Sequence, residues 1–138
     1  MNDGPLFFLV QDVQDLHAGV LERYGGQDGM RDLRLLESAV AAPRASYDGQ
    51  FLHEDLFAMA AAYAFHISEN QPFLDGNKRA GLTTALAFLY VNGIDIHAAT
   101  RDFHHAMIAL SSRRMTMAEL ADLFRSLCEP AFAPSRRS

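Results

Sequence analysis

The sequence NQPFLDGNKRAG, residues 70–81, lies between two long apolar segments and joins them through a short polar loop. Pro72 disfavours the helical conformation at the residue before it, so a helix that arrives from the N-terminal side ends close to Asn70. Gln71 then lies at the C-terminal end of that helix, and a second helix begins at about Asn77. The loop and the first turn of the second helix concentrate charged side chains: Asp75, Lys78 and Arg79.

Helical periodicity extends outward from this loop on both sides. Residues 54–70 are rich in alanine and aromatic residues and carry almost no internal charge, which predicts a central helix that is buried on most sides. Residues 77–93 predict a helix that ends at Asn92-Gly93, a dipeptide suited to a left-handed C-cap. Further amphipathic helices are predicted over residues 7–24, 32–43, 100–110 and 116–127.

Local signals mark the ends of these helices. Asp32 can cap the second helix, which ends at Pro43, and residues 116–119 form a capping box for the last one. Residues 42–53 predict a loop, and residues 94–96 alternate briefly, which predicts a short strand or an extended turn. These elements together predict an all-α fold, a compact bundle of about six helices.

Length and composition favour one globular domain. The 138 residues include 49% hydrophobic and 21% charged residues, which is enough for a substantial core. We expect a single domain over residues 1–128 and a flexible C-terminal tail over residues 129–138, where Pro, Ser and Arg are mixed. Cys128 is the only cysteine, so no intrachain disulfide can form and a reducing compartment is expected.

Charge and hydropathy exclude several classes of function. The net charge of −5 repels a phosphate backbone at long range and, with no basic recognition helix, weakens the interpretation as a helix-turn-helix regulator. No apolar run approaches the ~20 residues that span a bilayer, and the N-terminus lacks a positively charged region. We therefore expect a soluble cytoplasmic protein with no membrane association and no extended nucleic-acid binding.

The loop itself predicts a focused anion site. Backbone N–H groups at a helix N-terminus carry a partial positive charge, and Gly76 lets a phosphate approach the chain without a Cβ in the way. Lys78, the only lysine beside eleven arginines, and Arg79 add full charges. Asp75 would repel a phosphate unless a divalent cation lay between them, and Mg²⁺ suits that role. From the residues alone, the alternative stays open that Asp75 caps the helix while both cations are solvated.

Other motifs fail on spacing or context. A glycine pair with the spacing of a phosphate-binding P-loop is followed by Leu82 instead of lysine, and a His-Glu pair in the predicted loop meets Phe57 where a zinc protease has its second histidine. His97, His104 and His105 could bring two imidazoles to a metal, but partly exposed surface histidines are the default interpretation.

Residues 73–79, with the sequence FLDGNKR, resemble the core motif of the Fic/Doc superfamily. Their ending Asn-Lys-Arg, where Fic enzymes have Asn-Gly-Arg, is similar to the Doc (death-on-curing) branch. Residues 29–43 upstream and 88–93 downstream extend the resemblance, which covers roughly residues 10–127. The resemblance implies a helical fold of the Fic/Doc type, in which Phe73 matches a buried aromatic that anchors the loop.

The resemblance also implies roles for individual residues. It implies that ATP, or another nucleoside triphosphate, binds over the loop together with Mg²⁺, which Asp75 would hold. It further implies that Asn77 and the helix N-terminus at Gly76 bind phosphates. Lys78 and Arg79 match the basic pair that neutralises the transferred or leaving phosphates.

The family resemblance carries an expectation about activity and partners. Doc-type members are toxins of toxin–antitoxin modules that phosphorylate a translation elongation factor, whereas most Fic enzymes transfer AMP to hydroxyl side chains. The resemblance implies a bacterial toxin that transfers phosphate to a protein hydroxyl. Transfer of AMP is the second, less expected activity. Self-inhibiting Fic enzymes carry a helix with the pattern Ser/Thr-x-x-x-Glu-Gly/Asn, which this sequence lacks. Control is therefore expected from an antitoxin segment that folds into a hydrophobic groove.

The sequence departs from the family pattern at one decisive position. Gln71 occupies the place of the motif histidine, two residues before Phe73. General-base help from a histidine is typically worth ~10² to 10⁴ in rate, and an uncharged amide cannot supply it. In phosphoryl transfer, however, positioning and charge neutralisation dominate, and a glutamine can orient the nucleophile.

Three interpretations of Gln71 stay open at this stage. The chain is a slow or altered transferase, a nucleotide- or partner-binding module that has lost its chemistry, or an enzyme whose base comes from elsewhere. His66 lies five residues upstream, which on a helix is more than one turn away and about 140° around the axis. We therefore do not expect His66 to replace the missing base.

Overall fold

Helices form most of the chain in the computed structural model, which describes residues 4–96 and 100–136, with side chains described for residues 4–96 and 102–128. The helices of these ranges are α1 Val10–Tyr24, α2 Leu33–Ala41, α3 Leu56–Asn70, α4 Asn77–Val91, α5 Thr100–Ser111 and α6 Met117–Arg136. A 3₁₀ turn and a two-stranded antiparallel hairpin connect α2 to α3: Ala42–Arg44, β1 Ser46–Tyr47 and β2 Gln50–Phe51. The predicted all-α class is confirmed.

Helix α3 forms the centre of the core. Residues 59–64 are all buried, as the low charge of this segment predicts. Helix α4 packs against α3 at close range, since a Cβ added at Gly81 would lie 2.8 Å from the carbonyl oxygen of Ala64. Real Cβ atoms do not approach backbone that closely, so glycine at this position allows the spacing of the two helices that carry the loop between residues 70 and 77.

Side-chain caps fix the starts of three helices. Asp32 accepts a hydrogen bond from a backbone N–H in the first turn of α2 at 2.9 Å, which confirms the predicted cap. Asp55 does the same for α3 at 2.8 Å, so α3 begins two residues later than the sequence pattern predicts. At α6, Thr116 and Glu119 form the predicted capping box, with each backbone N–H bonded to the other side chain at 2.8 and 3.0 Å.

The start of α1 differs from the prediction. The apolar pattern predicts a helix from Phe7, whereas α1 begins at Val10. The backbone N–H of Phe8 donates to the Tyr63 hydroxyl at 2.9 Å, and the ring of Phe7 stacks on Phe88 with the centroids 5.8 Å apart. These residues belong to the core but reach it from the segment before the helix, a distinction that periodicity alone does not make.

The segment predicted as a loop at residues 42–53 contains the 3₁₀ turn and the hairpin. The hairpin turn is formed by Asp48 and Gly49, whose φ angles are 53° and 79°. These left-handed values are the ones that an Asp-Gly hairpin turn requires. The short strand considered for residues 94–96 does not form.

Helix α6 is longer than predicted. It continues to Arg136 instead of ending at residue 127. The flexibility expected of residues 129–138 stays a prediction. Within the described ranges, none of the helices combines the length and the apolar character needed to cross a membrane.

Candidate functional site

The end of α3 is fixed by the guanidinium group of Arg31. Its Nε donates to the carbonyl oxygen of Gln71 at 2.6 Å, and its Nη2 donates to that of Asn70 at 2.7 Å. Gln71 has a φ of 49°, a left-handed C-cap conformation, and Pro72 follows it. The predicted helix end is therefore confirmed, and Arg31 satisfies carbonyls that a helix C-terminus leaves without partners.

The loop pairs with the segment that precedes α2. Met30 and Phe73 form an isolated antiparallel bridge, and the backbone N–H of Leu74 donates to the carbonyl oxygen of Gly29 at 3.0 Å. The carbonyl of Pro72 accepts from two backbone N–H groups of the same segment, at 2.7 and 3.0 Å. The upstream motif and the core motif of the sequence thus form one structural unit.

The Asn77 side chain closes the loop on itself. Its Oδ1 accepts from the backbone N–H of Phe73, and its Nδ2 donates to the Phe73 carbonyl oxygen, both at 3.0 Å. These two bonds leave one amide N–H of Asn77 for a ligand. The loop geometry therefore depends on Asn77, while its contact with a phosphate stays a prediction.

The Asp75 carboxylate binds backbone N–H groups on two sides. Oδ1 accepts from Gly76 at 2.9 Å, and Oδ2 accepts from Gln27 at 3.1 Å. The N-cap of α4 is Gly76, with a φ of 77° and no side-chain cap, so Asp75 does not cap the helix in the ordinary way. The part of the alternative that treats Asp75 as a simple cap is therefore wrong, while Lys78 and Arg79 are both exposed, as that alternative expects.

The exposed Asp75 carboxylate fits a magnesium ion that takes only a small part of its ligands from the protein. A carboxylate has about four acceptor positions, of which the two backbone bonds use two. No cluster of three or more His, Cys, Asp or Glu side chains that could hold a metal occurs in the described part of the chain. Mg²⁺ commonly binds through one or two carboxylates completed by water and substrate phosphates, and Asp75 suits that mode.

His17 of α1 packs behind the loop, a role that the sequence pattern did not predict. Its side chain is only 4% exposed, and its ring stacks on Phe73 with the centroids 3.7 Å apart and the planes at 4°. Its Nε2 lies 2.8 Å from the carbonyl oxygen of Asp75, and because a carbonyl only accepts, Nε2 carries the proton. His17 follows Val13 by four residues on the buried face of α1, a position that could have identified it.

A cavity of about 530 Å³ opens over this loop. Side chains from α1, α3, α4 and α5 line it, so it lies where four helices meet the loop. Its wall includes every residue that the sequence predicts for the site: Gln71, Asp75, Gly76, Asn77, Lys78 and Arg79. The structure therefore brings the predicted site residues together around one space.

The two cations of the cavity are held differently. Arg79 lies over the ring of Tyr24, with Cζ 3.9 Å from the ring centroid, and this cation–π contact orients the guanidinium group. Lys78 is exposed and has no hydrogen bond or ion pair within the described residues. One cation is thus positioned by the protein, and the other is available to an anionic ligand.

Of the histidines considered from the sequence whose side chains the structure describes, one lies on the cavity wall. His104 of α5 lines the cavity beside Met107. His66 is not on the wall, and burial together with the charge of His53 lowers its pKa. The rings of His104 and His105 lie 6.3 Å apart, and His97 lies outside the described residues.

Comparisons with known proteins identify a family and relatives of this chain. The family model described as "Fic/DOC family" matches residues 7–89. The chain is 37% identical over 75 residues to "Toxin Doc" of Mycolicibacterium smegmatis, a match that covers 54% of this chain and 58% of that protein. It is 29% identical over 112 residues to "Protein kinase doc" of Escherichia phage P1, covering 81% of this chain and 87% of that protein.

Proposed function

The chain belongs to the Fic/DOC family, and on this premise we propose that it is a Doc-like toxin that transfers phosphate from a nucleotide to a protein hydroxyl. The two relatives named above are a toxin and a protein kinase by their names, and the family model matches residues 7–89, which include the loop between α3 and α4. Transfer of AMP is the less expected variant of the same chemistry.

The observation that carries the proposal is the composition of the cavity wall. Lys78, Arg79 and the start of α4 place two full charges and free backbone N–H groups on one side of a space of about 530 Å³. Sites for small ligands and cofactors commonly measure about 300–1,000 Å³. A nucleoside triphosphate, with its phosphates at the helix start, matches both the charge and the size.

Asp75 is the residue that would hold Mg²⁺. When bound there, Mg²⁺ would supply positive charge that offsets the negative charge of the phosphates. Lys78 and Arg79 would neutralise charge that develops on the phosphates during transfer, and the Tyr24 ring would keep Arg79 in place. The loop keeps this arrangement without the ligand, because its backbone is already hydrogen-bonded.

Gln71 would orient the acceptor hydroxyl instead of deprotonating it. The acceptor oxygen bonds to the γ-phosphorus while the bond from that phosphorus to the leaving nucleoside diphosphate breaks. Because the transition state is loose, the hydroxyl proton leaves late and can pass to water or to the imidazole of His104 on the same cavity wall. We therefore expect transfer that is slow compared with a family member that has the motif histidine.

The proposed toxin would have two protein partners. An antitoxin would restrain it, as the toxin–antitoxin context of the family implies, and a protein with an accessible hydroxyl would accept the phosphate. A translation factor is the acceptor class that the family suggests. Both partners would act in the cytoplasm of a bacterial cell.

The second candidate function is a nucleotide- or partner-binding module without turnover. The observation that favours it is Gln71, since the cavity has the phosphate-binding groups but lacks the motif base. Both candidates require nucleotide binding, and transfer distinguishes them.

Calorimetric titration with Mg-ATP tests the shared requirement. We expect saturable binding that weakens about tenfold or more in Lys78→Ala, since charge-assisted contacts to phosphate are lost. Arg34→Ala is the matched control, because Arg34 is an exposed cation of α2 away from the cavity. Absence of Mg-ATP binding, or equal binding by both variants, would count against the proposal.

A further inference from the structure

Gln71 ends helix α3 in a backbone conformation that is unfavourable for its residue type. Its φ of 49° and ψ of 58° are left-handed values. Glycine is the usual residue at such a helix end, because a Cβ makes this conformation costly. Pro72 adds to the cost, since the residue before a proline favours an extended conformation. The residue at the position of the motif histidine is therefore held in a strained conformation.

The strain at Gln71 lies at the cavity. Among the described residues, positive φ angles at residues other than glycine occur at Asp48, Gln71 and Arg113. Asp48 forms the hairpin turn and Arg113 follows α5, whereas the exposed Gln71 side chain is on the cavity wall. Strained backbone persists only where the surrounding structure holds it, and it is concentrated at functional sites. What holds Gln71 in place is therefore relevant to the chemistry of the cavity.

Arg31 holds the backbone on both sides of Gln71. It donates to three consecutive carbonyl oxygens: Nη2 to Asn70 at 2.7 Å, Nε to Gln71 at 2.6 Å, and the backbone N–H to Pro72 at 2.7 Å. The oxygens of Asn70 and Gln71 belong to the two planar peptide groups on either side of the Gln71 Cα. The guanidinium group is itself a rigid, planar fork. One side chain thus fixes the relative orientation of the two planes, and with it φ and ψ of Gln71.

We propose that Arg31 is a positioning residue for phosphate transfer, which holds Gln71 in the left-handed conformation that places its side chain at the cavity. The inference rests on the proposed function and deepens it, because Gln71 is the residue that would orient the acceptor hydroxyl. Arg31 itself is not on the cavity wall. It therefore acts through Gln71 and not through a contact with the nucleotide.

This role predicts a change in rate without a change in nucleotide affinity. Arg31→Met removes both guanidinium bonds and keeps an unbranched side chain. We expect the transfer rate at saturating Mg-ATP to fall about tenfold, because the rate depends steeply on the placement of the orienting group. The KM for Mg-ATP should change less than about twofold. Arg31→Lys, whose ammonium group lacks the planar fork, should give an intermediate rate.

Arg125→Met is the matched control, because Arg125 makes a comparable pair of bonds at the other end of α3. Its guanidinium group bonds Asp55, the N-cap of α3, and Asp122 of α6. Arg125 is not on the wall of the cavity over the loop. We expect the melting temperature to fall by roughly 2 to 4 °C in Arg31→Met and Arg125→Met alike. The transfer rate should fall only in Arg31→Met.

Gln71→Gly tests the strain without any measurement of activity. Glycine adopts left-handed angles at little cost, so we expect the melting temperature of the free protein to rise by roughly 2 °C. A melting temperature that stays unchanged or falls would show that Gln71 is not strained and would overturn the inference.

The kinetic test uses the full-length proteins, γ-labelled ATP with Mg²⁺, and a dialysed bacterial lysate that supplies the acceptor protein. Label incorporated in the presence of Lys78→Ala gives the background. Each arginine variant is also made in Gln71→His, whose higher expected rate makes a decrease easier to measure. A lower saturating rate of Arg31→Met with an unchanged KM, together with a wild-type rate of Arg125→Met, supports the inference.

Two other results separate the inference from the proposed function. A saturating rate that stays unchanged in Arg31→Met, or that falls equally in Arg125→Met, overturns the inference and leaves the proposed function intact. If neither the wild type nor Gln71→His transfers phosphate, the proposed function fails, and the inference fails with it.

Discussion

Two connections flank helix α3, and they are held in different ways. The loop after α3 accepts hydrogen bonds from His17 of α1, from Arg31 of the segment before α2, and from the Asn77 amide of α4. The hairpin before α3 forms its ladder within itself, and Tyr47 near its turn is 78% exposed. One connection is fixed from three directions, and the other is an exposed projection.

The loop after α3 is therefore a preorganised binding loop, whereas the hairpin before α3 is a surface element whose hydrogen bonds are internal. A loop whose backbone groups are already bonded loses little further conformational entropy when a ligand binds, which favours affinity. The hairpin and the residue after it instead expose apolar side chains, with Phe51 44% and Leu52 64% exposed, and Phe51 contacts the Phe7 ring. Changes in the loop should therefore affect binding, and changes near the hairpin should not.

The largest effect is expected when the clamp of the loop, the two hydrogen bonds between the Asn77 side chain and Phe73, is removed. Asn77→Ala deletes both bonds to Phe73 and leaves two backbone groups of a partly buried loop unpaired. We expect the free energy of unfolding to fall by about 2–4 kcal/mol, because each unpaired group costs about 1–3 kcal/mol. Mg-ATP binding should be lost. Urea unfolding and calorimetry measure the two effects.

Asn92→Ala is the control for this prediction, at the opposite end of α4. The Asn92 side chain also bonds backbone groups, those of Leu6 and Phe88. We expect a loss of stability of about 1–3 kcal/mol with Mg-ATP affinity unchanged. Normal nucleotide binding by a folded Asn77→Ala variant would show that the clamp does not shape the site.

A smaller effect is expected when His17, which packs behind the loop, is changed. His17→Phe keeps an aromatic ring against Phe73 but removes the N–H that bonds the Asp75 carbonyl oxygen. We expect a loss of stability of about 1 kcal/mol and a Mg-ATP affinity about fivefold weaker. His105→Phe, on the exposed surface of α5, should change neither quantity. Equal affinities of the two variants would contradict a positioning role for His17.

His53 and His66 should make the stability of the fold depend on pH. Burial lowers the pKa of His66 from its ordinary value of 6.5, the charge of His53 lowers it further, and Glu69 opposes both; burial also lowers the pKa of His53. With folded pKa values below the unfolded ones, the unfolded chain binds more protons in acid. These histidines therefore favour folding above pH 6.5, and that contribution is lost as the pH falls through the folded values.

Urea unfolding at about pH 7.5 and about pH 5.5 measures this dependence. We expect lower stability at the acidic value and a smaller decrease in a double variant, His53→Asn with His66→Asn. An equal decrease in the double variant would assign the pH dependence to other groups.

Local sequence signals predicted several of the helix boundaries correctly. Pro72 marks the end of α3, and Asp32 and the capping box at residues 116–119 mark helix starts, because each acts within a few residues of itself. The resemblance to a family motif assigned six residues to one site, Gln71 and residues 75–79, and the structure brings all of them to one cavity wall.

The contributions that sequence reasoning missed come from residues distant along the chain. His17 bonds Asp75 across 58 positions, and local periodicity identifies His17 only as a residue of a buried face. The hairpin was missed although Asp48-Gly49 is a turn signal, because two-residue strands are too short for an alternating pattern.

The central claim, nucleotide-dependent phosphate transfer at this loop, is tested most directly with γ-labelled ATP in a bacterial lysate. The wild type and Gln71→His are compared, with Lys78→Ala as the inactive control. We predict weak transfer of label to protein by the wild type and stronger transfer by Gln71→His, because histidine restores a general base. No transfer by either protein would contradict the account of this chain as a phosphotransferase.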